Sequence, residues 1–254
     1  MARVKSEFLS GYLIMAGIIK ALVDEVKNLN GSDEDLRRIE TDPALRRQIA
    51  GLLVQSRATE ESKPFSVEIH LAQWVKFYRE VMNLEIDLNS IRIPEHVTGF
   101  DRLIVVMPGM TPEKLFQLCK SRFSGWKWTD KSLDEIVTSE RTATDGPYAI
   151  WVRDRVEADD ELTGKSYNDL KVAGVSGVTL EERLLDELEY HFRIQKHKDI
   201  KNVTLCSGSR YSDGSIPGVD WRGGSDELHV RRYHVDSRYD DLRSRQAVSL
   251  PKAA

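Results

Sequence analysis

Apolar residues recur at three- and four-residue steps along most of the chain up to Gln195, and at two-residue steps or in short unbroken runs beyond it. That change of period predicts a helix-rich body followed by a β-rich tail. The first helix is predicted from Ser6 to Asn28, with Leu9, Leu13, Ala16, Ile19, Leu22, Val23 and Val26 on one stripe. Phe8, Tyr12, Met15 and Ile18 widen that stripe, so the helix must be covered on several sides, within a helical cluster or at an oligomer interface. Asn28-Leu29-Asn30-Gly31 stops it. Ser32, followed by Asp33, Glu34 and Asp35, opens a second helix, with acids in the first turn where they meet the helix dipole favourably. Thr41 or Asp42 caps a third, with Pro43 at its first position and Leu45, Ile49, Leu52 and Leu53 on its apolar face. The polar stretch Ser56–Lys63 reads as a linker, dividing a helical region, 1–60, from an α+β domain, 61–254.

Beyond the linker the period is mixed. Phe65, Val67 and Ile69 alternate with polar residues as a strand would, and Leu71, Trp74, Val75, Tyr78, Val81 and Met82 then keep helical spacing. Asp101–Met107 is a continuous apolar run that predicts a buried strand, ended by Pro108-Gly109. Thr111-Pro112-Glu113 opens a helix to about Phe123, Trp126 and Trp128 fall in a loop or short strand, and Ser132 caps a short helix through Val137. Tyr148–Val156 alternates as a strand. Ser166 caps a helix to Val172, and Thr179 with Glu182 forms a capping box for a helix over Leu180–Gln195.

The tail from Val203 to Leu250 breaks into short apolar runs between turn residues and predicts an antiparallel β-meander. Helices and strands do not alternate strictly, which favours an α+β fold over a doubly wound α/β one.

Composition sets the limits of function. The 254 residues suit one large domain or two small ones, and 40% hydrophobic residues supply an ordinary core. A net charge of −4 gives no general attraction to nucleic acid or to an anionic membrane. Cys119 and Cys206 form no CxxC pair and read as two reduced, buried thiols, so no thiolate zinc site is expected. The apolar run Phe8–Ile19 is too short to span a bilayer, Glu7 interrupts its basic flank, and no small-x-small cleavage site follows it. A cytoplasmic protein without a membrane contact is expected.

Candidate chemistry is sparse. The PGMTP turn lacks the phosphate-cradling GxxxxGK[ST] and GxGxxG patterns and reads as a plain strand-to-helix connection. Glu187 and His191 stand four apart, as two metal ligands on one helix face would, with His197 just beyond. Lacking a third ligand, they read as a solvated face. His229 and His234, with Asp226, Asp236, Asp240 and Asp241, form the densest group of acid–base residues. On one strand His229 and His234, five positions apart, face opposite ways, which opposes a shared metal. No GxSxG nucleophile turn exists; Ser207-Gly208-Ser209 marks a bulge or strand end. No catalytic residue, metal ligand or cofactor is therefore assigned. The tail also interleaves arginines with Tyr211, Trp221, Tyr233 and Tyr239, a composition shared by protein-binding hot spots and base-stacking surfaces. Acids from Asp220 to Asp241 dilute its positive field and disfavour nucleic acid. The contact residues expected are Arg210, Tyr211, Trp221, Arg222, Tyr233, Tyr239 and Arg243.

Three segments of the tail carry a resemblance: the strand Cys206-Ser207-Gly208-Ser209-Arg210, the turn before Trp221-Arg222-Gly223-Gly224, and the closing Leu242-Arg243-Ser244-Arg245-Gln246-Ala247-Val248. They resemble the end of the C-type-lectin-like fold of formylglycine-generating-enzyme relatives and of the variable proteins of diversity-generating retroelements. The family's closing GFR reads LRSR here, and its catalytic cysteine pattern is absent. The resemblance implies a ligand-display surface rather than catalysis.

Together these features predict a non-enzymatic α+β binding or assembly protein that contacts a protein partner through its tail or self-associates through its N-terminal helices. The alternatives are a hydrolase using His229 or His234 with Asp236 or Asp240, and a single-stranded nucleic-acid binder.

Overall fold

The computed structural model describes residues 20, 23–24, 26–28, 30–50 and 66–250. The chain divides into two compact units, Met1–Pro64 and Phe65–Ala254. Most of the helix expected over Ser6–Asn28, with the apolar run Phe8–Ile19, and the linker Ser56–Lys63 lie outside the described residues. Within the first unit, α1 (Asp33–Thr41) starts at Ser32, whose hydroxyl and backbone N–H both donate to the Asp35 carboxylate at 2.9 Å. Asp42 caps the helical stretch 43–50 by accepting from the Ala44 and Leu45 N–H groups at 2.8 and 3.1 Å.

The second unit is an α+β fold. Its first helix, α2 (Val67–Met82), includes Val67 and Ile69, two of the positions that alternate like a strand, a correction to the sequence reading; Phe65 lies outside the described residues. Val67 and Leu71 pack against the core that holds Trp74, Phe77 and Tyr78, while Ile69 stands exposed, and so short an alternation does not hold a strand against that stripe. The helix is pinned to β1 (Arg102–Val106) by polar side-chain tips: the Trp74 indole donates to the Leu103 carbonyl and the Tyr78 hydroxyl to that of Val105, both at 2.8 Å. β1 pairs antiparallel with β4 (Tyr148–Val152), and every residue of both strands is buried.

Between them lie α3 (Pro112–Arg122), β2 (Ser124–Lys127), α4 (Leu133–Ile136) and β3 (Val137–Ser139). The α3 N-terminus already holds an anion from this chain: Asp134 accepts from the Thr111 hydroxyl and from the Glu113 N–H, each at 2.8 Å. After β4 come α5 (Tyr167–Val172), α6 (Leu180–Ile194) and the strands of the tail. β5 (Val203–Leu205), β7 (Ile216–Arg222) and β8 (Glu227–Tyr233) run antiparallel in that order, as a meander does. β2 joins the β8 edge in parallel, and β9 (Leu242–Ser244) joins the β5 edge in parallel, completing a five-stranded sheet. β6 (Ser209–Tyr211) leaves that sheet to pair antiparallel with β3.

α6 overturns the expectation of a solvated face at Glu187 and His191. Every residue from Leu180 to Tyr190 is buried, and Glu187 is 0% exposed. Charges are tolerated at such depth only when paired. Arg183 binds Glu187 at 2.7 Å and Asp199 at 2.8 Å; Arg102 reaches from β1 to Asp186 at 2.8 Å and to Glu189; Lys198 meets Asp186 at 2.9 Å. Arg245, just past β9, closes the array on Asp199 at 2.7 Å. His197 holds the other oxygen of Glu187 at 2.9 Å and stacks on His191 and on Trp221. The spacing of Glu187 and His191 is therefore that of a buried ion-pair lattice. Cys119 and Cys206 are buried, unpaired thiols.

Candidate ligand-binding groove

The β7–β8 hairpin sets the chemistry of the sheet's open end. Along β8 the aliphatic residues Leu228 and Val230 are buried, while Glu227, His229, Arg231 and Tyr233 are only partly covered. β2 lies beside β8 with Trp126 opposite His229, and the Trp128 N–H donates to the Val230 carbonyl at 3.1 Å. Trp126 on β2 and Trp128, one residue past its end, both reach the same groove. The segment before β9 brings Tyr239 and Asp241 to the same place.

These residues line an open groove of about 430 Å³, walled by Trp126, Trp128, Tyr233 and Tyr239, with Arg231, Arg232 and Asp241 as its charged members. Trp126 and Tyr239 are 44% and 55% exposed, unusual for rings of that size. Tyr233 is laid flat by Gly218 beneath it: a β-carbon there would come within 2.5 Å of the tyrosine ring. Burial, then the charges of Asp220 and Asp241, push the Tyr233 hydroxyl up to about 12, so it stays protonated at neutral pH.

Both arginines are committed. Arg231 binds Asp220 at 2.6 Å and the His229 ring nitrogen at 3.0 Å. Arg232 binds Asp213 at 2.6 Å and lies over the Trp128 ring, 5.1 Å from its centroid. Asp241 is exposed, and its carboxylate has no partner among the described residues.

The seven expected contact residues divide. Tyr233 and Tyr239 line the groove. Tyr211 lies beneath it, buried, with its hydroxyl donating to the Arg231 carbonyl at 3.2 Å and its ring edge-on to Trp128. Trp221 is buried against His197 and Phe123. Arg210 stacks on Tyr167 at 4.2 Å, and Arg243 is tied to Asp160 and the Ala158 carbonyl. Arg222 is exposed at the end of β7, held by Asp220 at 2.7 Å. Trp126, Trp128, Arg231, Arg232 and Asp241 enter from outside the expected set. The Gly-Trp-Lys-Trp spacing was the available signal for the two tryptophans; what it lacked was the knowledge that β2 joins β8.

The hydrolase alternative draws on residues that do not converge on a metal. His229 is held between Glu227 at 3.2 Å and Arg231. His234 is exposed, 3.7 Å from Asp236. Among the described residues no group of three or more His, Cys, Asp or Glu side chains is placed to hold a metal ion.

A second cavity, about 650 Å³, opens beside β3 and β4, lined in part by Ser139, Arg141 and Tyr148. Three of its polar side chains are held by groups behind the wall. Arg141 forks onto Glu182 at 2.8 Å and also donates to the Gly177 carbonyl, and the Tyr148 hydroxyl donates to Glu182 at 3.0 Å. Ser139 donates to the buried Glu181 at 2.7 Å. Burial pushes the Glu181 carboxyl up to about 7 against these hydrogen bonds. An acid raised in this way stabilises the fold fully below its unfolded value near 4.5, and that contribution is lost as pH rises through about 7. Glu181→Gln is therefore expected to match the parent at pH 4 and to exceed it by on the order of 2–3 kcal/mol at pH 8. Thermal melts at both pH values check this; an equal difference at both would refute it.

Comparison with protein-family models, with curated proteins and with solved structures finds no match for this chain. Among the described residues no helix is long and apolar enough to cross a membrane.

Proposed function

We propose that this chain is a non-enzymatic binding protein whose aromatic groove at the β2–β8 edge docks a protein partner, with self-association through the N-terminal helices as a second mode of contact. One observation carries the reading: Trp126 and Tyr239, two large rings, stand half exposed around one groove while Arg231 and Arg232 beside them are already held by carboxylates. Exposed aromatic anchors framed by arginines are the composition of protein-binding hot spots. A nucleic-acid reading fits less well. Arg231 and Arg232 each hold a carboxylate, and nearby Arg238 grips Asp169 through two hydrogen bonds of 2.8 Å, which leaves few cations for phosphates.

The test places a photo-cross-linking amino acid at position 239 and, as control, at Val172, which is 90% exposed and outside the groove. In the native cell the groove probe is expected to give one adduct of defined mass that disappears with Trp126→Ser, and the control probe is not expected to give that adduct. Identical adducts from both positions, or an adduct indifferent to Trp126→Ser, would remove the proposal.

A further inference from the structure

We infer that the groove recognises a cationic side chain, the ammonium of a lysine or the guanidinium of an arginine, on a basic segment of the partner; this rests on the groove being the docking site. The chain builds the required arrangement once for itself. Arg232 lies over the Trp128 ring while Asp213 holds its guanidinium at 2.6 Å, so cation, aromatic face and carboxylate are satisfied together. Beside it, on the same groove, Trp126 and Tyr239 supply the aromatic faces and Asp241 the carboxylate, and the cation is the member not supplied by the chain.

Charge complementarity points the same way. Of the charged groups lining the groove, Arg232 is held by Asp213 and Arg231 by Asp220, which it shares with Arg222, while the Asp241 carboxylate has no ion-pair partner among the described residues. An acidic segment would face that carboxylate without a free guanidinium to receive it. An uncharged aliphatic side chain would bury the rings but leave Asp241 unpaired at the rim of the contact. A cation meets both the ring quadrupoles and the carboxylate, and each of those attractions grows as docking excludes water. The Trp126 ring is tilted against that of His229, with 5.0 Å between their centroids.

The experiment uses the full chain labelled with nitrogen-15 and three blocked tripeptides, glycine-X-glycine, with X lysine, norleucine or glutamate. The indole N–H signals are read, that of Trp126 being identified with Trp126→Phe. The lysine peptide is expected to shift the Trp126 signal at millimolar concentration, the norleucine peptide much less and the glutamate peptide not at all. Asp241→Asn is expected to weaken the lysine peptide roughly five- to tenfold, and added salt to weaken it further. Equal shifts from norleucine and lysine, a preference for glutamate, no shift with lysine, or indifference to Asp241→Asn would each overturn the inference. These failures are distinct from failure of the docking site: a cross-link at position 239 that needs Trp126 but survives Asp241→Asn keeps the groove as a docking site and discards only the cation.

Discussion

Asp199→Ala is expected to lose on the order of 3–5 kcal/mol of stability, a large part of what a domain of this size possesses. The carboxylate is completely buried and accepts from Arg183 at 2.8 Å, Arg245 at 2.7 Å and the Thr204 hydroxyl at 2.6 Å. Burial by itself would favour the neutral acid, but the charges of Arg245 and Arg183 hold the carboxyl below its ordinary range. Truncation leaves two guanidiniums in a dry interior with their carboxylate gone. Arg245 would retain the Arg155 and Val156 carbonyls, and Arg183 would retain Glu187, so repulsion is softened but desolvation is not. The backbone adds a smaller cost, since Asp199 has φ of +53°, a left-handed conformation that aspartate and asparagine tolerate better than alanine. Asp199→Asn separates the two effects: it keeps the backbone preference and a hydrogen-bonding side chain and removes the charge. Its loss should fall between the parent and Asp199→Ala in urea melts. If Asp199→Ala melts within about 1 kcal/mol of the parent, the lattice around α6 is not the structural centre proposed for it.

How much of this could be read from the chain depends on which interactions are local. Helix starts at Ser32, Thr111, Ser166 and Thr179 were legible because a cap and its first turn lie within four residues of one another. β1 was legible because an unbroken apolar run has few other homes; β4 was read from alternation over Tyr148–Val156 and ends at Val152, with all five of its residues buried. α6 was placed correctly and its surroundings were not. Its acids look like a solvated face until Arg102, Lys198 and Arg245, brought from other elements, are seen to reach them. The groove shows the same limit. Tyr233 and Tyr239 were visible in the tail, but Trp126 and Trp128 joined them only through the parallel pairing of β2 with β8, a contact spanning about a hundred positions. Trp221 and Tyr211 carry the same aromatic signal as Tyr239 and are buried, because composition cannot tell a ring that supports a surface from one that forms it.

Arg102→Met is expected to be nearly as costly as the aspartate change, on the order of 3 kcal/mol, and to raise the pH at which the protein denatures in acid. Arg102 joins β1 to α6 through Asp186 at 2.8 Å and through Glu189. Methionine fills a comparable apolar volume, so the loss reports the charge more than a cavity. Glu189 keeps Arg193 at 3.3 Å, and Asp186 keeps Lys198 at 2.9 Å, which makes the change survivable. Burial would push the Asp186 carboxyl up; the charges of Lys198 and Arg102 hold it well below the usual range. A carboxylate held low adds stability at every pH above its unfolded value and gives it up as pH falls toward its folded value. Without Arg102 the folded value rises, so Asp186 contributes less stability to begin with, and the variant reaches its acid transition at a higher pH because it enters the acid range already less stable. Circular dichroism followed from pH 7 down to pH 2 should therefore show the Arg102→Met transition displaced upward by about one pH unit. The opposite sign is expected of Glu181→Gln, whose advantage grows toward alkaline pH. A variant as stable as the parent at pH 7, with its acid transition unmoved, would mean that Asp186 does not depend on Arg102 for its charge.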